Sequence, residues 1–422
     1  MTFRRFATFL ALALTLLNRS LTAETEPETF TRSSAIRYAL ERNADLQAAR
    51  LAVAEAEARL RNSGRLDNPR LSLEYGTDQA FNNEGEHAIS VGFQQSFPLA
   101  SRLKKEKAVS EIGLRMAQLE VRQSEREVAE SICELALQIQ VMEERIRLSE
   151  KLSSKARELA RFANDQAATG EVSLIDANRA TMELRLAEQA LTHQKLEREK
   201  LIHRLAPLLG RRSAEHIHFE SDGPITVEES LPSYDPAVLE RHPAFQLASL
   251  AVSSAEAQIA LARAQNWEDV TATVFWEDER SVDEPAGVGT DRFLGVGVTI
   301  PLPLRKKGDL KALEKQALRD RSRQEIVAIK LRIENDIEHA RHEALAYRDR
   351  LRSYQSEVLE LSQRQLESER EAHRRGQISY LELLQSELDA LKLEENRVHL
   401  LDAYADARLE LTLARVDLPE LD

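Results

Sequence analysis

The chain has 422 residues, of which 14 are Gly, 12 are Pro, 31% are charged and 5% are aromatic, and its net charge is -13 at pH 7. So acidic a balance excludes nucleic-acid binding as the main task, because phosphate neutralisation needs a basic face, and the lone Cys133 excludes an internal disulfide or a cysteine-built zinc site. Pro is absent from residues 99–206 and 304–418, which excludes folds that turn every ten or so residues and leaves very long helices.

At the N-terminus, Arg4 and Arg5 precede an apolar run from Phe6 to Leu17, then polar Asn18, Arg19 and Ser20. This is the pattern of a secretory signal peptide over residues 1–23, cut after Ala23. No Cys follows for lipidation, and no later stretch of 18 apolar residues predicts a transmembrane helix.

Two repeats follow, 24–209 and 237–422. Leu40-Glu41-Arg42-Asn43 recurs as Leu239-Glu240-Arg241-His242, Phe97-Pro98-Leu99 as Ile300-Pro301-Leu302, and Gly170 with Ser173 as Gly376 with Ser379. A period near 200 residues is too long for a solenoid unit and marks duplication of one large half. Each half reads helix, two strands, very long helix, tight turn, helix.

In the first half the helix is expected over Thr31 to Arg65 and the strands over about 69–76 and 87–98. A long helix from Leu99 to Ala168 follows, then a hairpin tip at about 169–173 and a helix from Ser173 to Leu208. Ile132, Leu135, Ile139, Met142 and Ile146 form a heptad-like seam. At 1.5 Å per residue such a helix is roughly 105 Å long. Residues 210–236, polar and Pro-bearing, are the connection between the halves. In the second half the strands are expected over about 269–277 and 291–302, the long helix from Leu304 to Arg374 and the tip at about 375–379. Its seam runs through Ile326, Ile329, Ile333, Ile337, Ala340, Ala344, Tyr347, Leu351, Tyr354, Val358 and Leu361.

Gly170 and Gly376 stand where left-handed C-terminal caps belong, and each is followed by a capping box, Ser173 to Asp176 and Ser379 to Glu382. The strands alternate. Leu71, Leu73 and Tyr75, Val270, Ala272, Val274 and Trp276, and Leu294, Val296, Val298 and Ile300 share an apolar face. The other face carries Ser, Gly, Thr, Gln and Glu, with Phe275 the exception. Acidic loops, Thr77 to Glu86 and Glu277 to Asp291, join each pair. The pattern fits a transmembrane barrel with a wet interior; a soluble two-stranded ribbon with one buried face fits it equally. Four strands alone cannot close a barrel, so in the first case an oligomer must complete it.

In these residues and their order the chain resembles the TolC family of outer membrane efflux ducts, over nearly the whole mature length. The resemblance rests on the duplicated Ala39 to Ala44 and Val238 to Pro243, the strand-ending Phe-Pro-Leu and Ile-Pro-Leu-Pro-Leu, and the paired Gly-x-Val/Ile-Ser hairpins. It implies a mainly α fold with a small β part: long coiled-coil-like hairpins in two tandem repeats and four transmembrane strands per chain. Three chains would complete a 12-stranded outer membrane barrel and a periplasmic α-barrel. It also implies a passive duct with two protein partners, a periplasmic adaptor and an inner membrane pump of the RND type, and contact with outer membrane lipid. Within the family, Val296 with Thr299-Ile300-Pro301-Leu302-Pro303-Leu304 looks most like the heavy-metal (CzcC-like) branch, which adds metal cations to the candidate cargoes; the sequence leaves the cargo, metal, drug or other, open.

By the same resemblance, Gly170, Val172, Ser173, Gly376, Ile378 and Ser379 are the candidate adaptor-docking tips, and Asp176 and Glu382 candidate acids of the periplasmic aperture. The spacing of these two acids is equally that of helix caps. The family's multidrug prototype has an arginine two residues after its second hairpin glycine, where this chain has Ile378, so apolar contact replaces an arginine-carboxylate lock as the expected closure.

Other chemistry is weaker. His216 and His218 lie in the connection, and His339 and His342 on a highly charged helix, where a solvated face is the favoured reading, so no metal site is assigned. No catalytic triad order, phosphate loop or isolated carboxylate pair emerges, and neither an enzyme nor a cofactor is expected. A periplasmic adaptor would flank one hairpin with β-rich domains, and a plain envelope coiled coil would leave the alternating strands without a role.

Overall fold

The computed structural model describes residues 28–80, 85–221, 223–283, 287–302 and 307–416. The expected signal peptide, its cut site, and Pro303 and Leu304 of the strand-exit motif lie outside these residues. The chain divides into two compact units: Met1–Leu46 with Glu125–Asp235 and Glu334–Asp422, and Gln47–Ser124 with Pro236–Ile333.

The first unit begins with β1 (Glu28–Phe30) and α1 (Arg32–Arg42), the latter opened by a reciprocal Thr31/Ser34 capping box. α2 (Ala44–Asn62) follows at once. The single helix expected from Thr31 is therefore broken at Asn43. The Asn43 N–H donates to the Ala39 carbonyl and ends α1, while its side-chain oxygen accepts from the N–H groups of Asp45 (2.9 Å) and Leu46 (3.0 Å) and starts α2. Its amide donates to the Leu208 carbonyl at 3.0 Å, so both the oxygen and the nitrogen of this buried side chain have partners.

The second repeat breaks at the same place. His242 ends α5 (Ala237–Arg241) and caps α6 (Pro243–Ala264), its Nδ1 accepting from the Ala244 N–H at 3.3 Å. The duplicated Asn/His position is thus a double cap.

α3 (Arg102–Thr169) and α4 (Leu174–Leu208) form the first helical hairpin. Residues 125–169 of α3 belong to the first unit, where Ile132, Leu135 and Ile139 are buried against Ile36, Leu205 and Leu209. The three-residue β4 (Ile217–Phe219), inside the expected connection, pairs in parallel with β1 and buries Ile217 and Phe219 beside Phe30. His216 and His218 take the opposite, exposed side.

α7 (Lys307–Ser353) gives way to a π-helical turn (Tyr354–Leu359), then α8 (Glu360–Arg374) and α9 (Tyr380–Ala414). The seam residues Ile337, Ala340, Ala344 and Leu351 are buried as the spacing predicts, but Leu361 is 59% exposed. The π-turn contributes one residue more than an α-turn, so the inward stripe passes from Tyr354 to Leu359, Ser362 and Leu366 and leaves Leu361 outside.

The second unit carries a four-stranded antiparallel sheet in the order β2-β3-β5-β6, from β2 (Arg70–Thr77), β3 (His87–Phe97), β5 (Val270–Asp283) and β6 (Gly287–Thr299). β5 and β6 extend well beyond the expected ends and absorb most of the acidic segment Glu277 to Asp291. There Asp278 is in register with Arg292, with an ion pair at 3.1 Å, while the next pair sets Glu279 against Asp291.

The register places the apolar residues in rows. Leu71, Phe93, Val274 and Val296 form one, and Leu73, Val91, Trp276 and Leu294 the next. Tyr75, Ile89, Asp278 and Arg292 form a third, where the apolar band ends. On the other face Phe275 lies between Gly92 and Gly295. A Cβ on Gly295 would come within 2.3 Å of the Phe275 ring, so the aromatic covers a glycine that must stay a glycine.

Near the sheet, Arg102 pairs with Asp269 and with Glu106, both at 2.6 Å. The two carboxylates raise its pKa although burial opposes them.

Candidate functional site at the hairpin tips

Each hairpin turns on a glycine in the left-handed region, Gly170 at φ 82° and Gly376 at φ 71°. Both complete a Schellman motif. The Glu171 N–H reaches the Gln166 carbonyl and the Gly170 N–H that of Ala167; the Gln377 N–H reaches Ala372 and the Gly376 N–H reaches His373. Nothing lies within 4 Å of a Cβ built on either glycine, so both tips face open space.

The next helices start differently. At the second tip the Ser379 hydroxyl caps the Glu382 N–H (3.2 Å) while the Glu382 carboxylate accepts from the Ser379 N–H (2.8 Å). That backbone bond, with the Ser379 hydroxyl, holds Glu382 below its ordinary pKa. At the first tip the Ser173 hydroxyl lies 3.2 Å from the Asp176 N–H and 2.7 Å from the Asp176 carboxylate, and the reciprocal bond to the Ser173 N–H is missing. The expected box at Ser173 is therefore half made. Asp is one methylene shorter than Glu and does not complete the return bond.

Gly170, Ser173, Asp176, Gly376, Ser379 and Glu382 are exposed, and Val172 and Ile378 half-buried. The hydrogen bonds of Asp176 and of Glu382 among the described residues run to their own serines, so the structure does not join these two acids. Leu174 and Ile175, beside the first tip, are 73% and 77% exposed. Their counterparts Tyr380 and Leu381 pack against a core of Ala156, Ala160, Ala163, Ala177, Ala180, Leu384 and Leu388, in which small side chains let helices of both hairpins approach closely.

Behind the tips the hairpins are tied by a polar network with no motif of its own. The Tyr380 hydroxyl donates to Glu158 on α3, and the Tyr380 ring meets Phe162 edge-on with centroids 4.9 Å apart. Lys155 bridges Glu158 (3.0 Å) and Glu387 (2.8 Å), and Glu387 also receives Arg370 of α8 at 2.8 Å. Lys392 reaches Glu183 at 2.6 Å. Tyr380 first, then Lys155, lowers the Glu158 pKa, and the Tyr380 hydroxyl is raised in return. Burial opposes ionisation of Glu387, but Lys155 and Arg370 outweigh it and the pKa falls.

Among the described residues no group of three or more His, Cys, Asp or Glu side chains could hold a metal ion. No helix there is long and apolar enough to cross a membrane, which leaves the sheet as the apolar surface to be accounted for. Its outward rows are open: Leu71, Leu73, Tyr75, Leu294, Val296 and Val298 are between 65% and 81% exposed. The four strands make one sheet, not two ribbons with a buried face each, and the outer edges of β2 and β6 have no strand partner among the described residues.

An exposed apolar sheet and a long, glycine-tipped helical hairpin in each repeat define a class of membrane channel-forming envelope protein. The chain belongs to the outer membrane efflux protein family, whose sequence model matches residues 35–211 and 236–415. It is a protein of the outer membrane with a large periplasmic part.

Solved structures share the fold. CusC, which forms a transmembrane channel, superposes with a TM-score of 0.69 at 20% identity over 91% of each chain. The CmeC outer membrane channel of Campylobacter jejuni gives 0.70 at 14% identity, over 91% of this chain and 85% of that one. The outer membrane protein VceC of Vibrio cholerae gives 0.68 at 15%, over 90% and 95%. At these identities the likeness is one of fold. No curated protein matches the chain in sequence.

Proposed function

We propose that the chain is the outer membrane duct of a tripartite efflux system, assembled as a homotrimer. The observation that carries this reading is the four-stranded sheet with an exposed apolar face and two edges unpaired among the described residues. In lipid such edges must be closed, since an unsatisfied backbone group there costs several kcal/mol, and three copies would supply a twelve-stranded barrel. The polar face, with Ser72, Ser90, Gln94 and Thr273, then lines the water-filled interior.

Gly170, Val172 and Ser173 with Gly376, Ile378 and Ser379 form the surface for a periplasmic adaptor, which passes substrate from an RND-type inner membrane pump. The open space around both glycines supports this assignment. Asp176 and Glu382 cap their helices and place negative charge at the tube's periplasmic opening. Heavy-metal cations are the proposed cargo, because negative rings bias cation passage without retaining the ion. The duct itself does no chemistry.

Membrane fractionation with unheated gel electrophoresis tests the assembly. A detergent-extracted outer membrane trimer is expected, and a soluble periplasmic product would overturn the duct. A deletion strain challenged with metal salts, dyes and antibiotics tests the cargo; sensitivity confined to drugs would remove metals.

A further inference from the structure

α2, α3, α6 and α7 all join the sheet at one end, through Arg70, Phe97, Val270 and Thr299. With the helices in the periplasm, the opposite end of the sheet, where β2 turns to β3 and β5 to β6, is the external one.

Register sorts the charges of this external end by face. On the outward face the aliphatic rows finish at Trp276 and Tyr75. Arg292 stands level with Tyr75, and Arg280 lies one row further out, between His87 and Thr290. On the opposite face the same stretch carries Glu74, Glu277, Glu279 and Asp291. In the two outward rows Asp278 is the single acid, and Arg292 pairs with it at 3.1 Å while its own side chain stays 72% exposed. Arg280 is exposed and makes no ion pair among the described residues. The loop acid Glu86 is engaged by the Val282 N–H at 2.9 Å.

Within the sheet this sorting costs stability, since Glu279 stands opposite Asp291 and the cations lie on the other face. Its use is found outside the chain. Aromatic side chains at the limit of an apolar band sit at headgroup level in a membrane, and the guanidinium fork matches phosphate in geometry as well as charge. Arg280 and Arg292 are diagonal neighbours across β5 and β6, about 7–8 Å apart at the backbone, close enough for both side chains to converge on one headgroup.

We propose that Arg280 and Arg292 form a seat for a phosphate-bearing lipid of the outer leaflet. The two guanidiniums hold the headgroup phosphate, and Trp276 and Tyr75 pack beside the start of its acyl chains. The acids, turned to the lumen, leave the lipid side free of their repulsion. The inference rests on the barrel reading above, which makes this face the lipid-facing one.

The test uses the detergent-extracted full-length trimer in native mass spectrometry, with two probes: diphosphorylated lipid A and the same lipid with both phosphates removed. Wild type should retain the phosphorylated form roughly tenfold more strongly, and excess inorganic phosphate should not displace it. Arg280→Gln combined with Arg292→Gln should bind both forms alike. Arg70→Gln, which removes a cation from the inward face near the helices, should keep the wild-type preference. A wild type indifferent to the phosphates, a double variant that still prefers them, loss of preference in Arg70→Gln, or displacement by inorganic phosphate would overturn the seat. Should the double variant fail to assemble, Arg280→Gln alone should weaken the preference at least twofold, and an unchanged preference would overturn the seat equally. A chain recovered as a soluble product would remove the barrel reading itself, whereas a membrane trimer that ignores the phosphates would leave that reading standing and remove this one.

Discussion

The Tyr380 hydroxyl donates to the Glu158 carboxylate across 222 positions of sequence, joining the first turn of α9 to α3. It does so one residue after the Ser379 cap, so the backbone geometry of the second tip and the contact between hairpins are set together. Replacing Tyr380 by Phe keeps the ring against Phe162 and removes only the hydrogen bond. The expected loss is about 1 kcal/mol, below the usual range for a charged acceptor because solvent reaches Glu158. Because Glu158 sits below its ordinary pKa when folded, the tie is intact at neutral pH and is lost as pH falls through that lowered value. Thermal melts of wild type and Tyr380→Phe should therefore converge on acidification; a constant gap would count against the bond.

Ala at Gly170 or Gly376 meets no neighbour and suffers only from the positive φ, so each should cost about 1–2 kcal/mol. Trp at either position should leave a comparably stable trimer and yet abolish efflux by blocking the docking surface. Full efflux from a Gly170→Trp, Gly376→Trp double variant would sink the docking role.

Val296 stands on the outward face in register with Val274, and Thr273 on the opposite face in register with Gly297. Arg at Val296 should destabilise the inserted barrel by about 2–4 kcal/mol, the range for a lipid-facing midplane position, and deplete the trimer from outer membrane fractions. Arg at Thr273 should insert normally and change ion selectivity. Equal insertion of both would contradict the assignment of faces.

Burial, then the charges of Asp402, Glu410 and Glu134, raise the Asp406 carboxyl to about 6, against an opposing pull from Arg145. A carboxyl with a raised folded pKa binds its proton more tightly in the native state. Stability from this group therefore grows as pH falls from 7 through 6 toward the ordinary value of 3.8 and is absent above 6. Asp406→Asn should be more stable than wild type at pH 7.5 by about 1 kcal/mol, allowing for screening by the water that still reaches this half-covered carboxyl. It should also lack the wild-type gain between pH 7 and 5.

What could be read from residues alone was whatever depends on neighbours a few positions apart. Gly376, Ser379 and Glu382 declare a turn and a cap within seven residues, and alternation declares the outward face of the sheet. Asp176 looked equivalent to Glu382, and only side-chain length separates them. Asn43 and His242 are visible as a repeated position, whereas the bond from the Asn43 amide to the Leu208 carbonyl, 165 positions away, leaves no local trace. The acidic stretch after Trp276 has the composition of a loop and the alternation of a strand, and its pairing with β6 makes it strand. The exposure of Leu361 was illegible, since a single surplus residue changes the phase of every position after it without changing composition. The Tyr380, Glu158, Lys155 and Glu387 network leaves no local trace, its partners being ordinary members of charged helices.

The pairing of β1 with β4 bears on how the chain comes to fold. Glu28–Phe30 is the first described strand, yet its partner Ile217–Phe219 lies near the middle of the chain. Closing that ladder brings ends together across a long loop, an entropic cost that grows only slowly with length, but it cannot begin until β4 has been made. The long helices can form earlier from local contacts alone, which nucleate quickly. The short parallel pair is then a late lock, with Phe30, buried against Ile36 and Phe219, left waiting while the first hairpin assembles beside it.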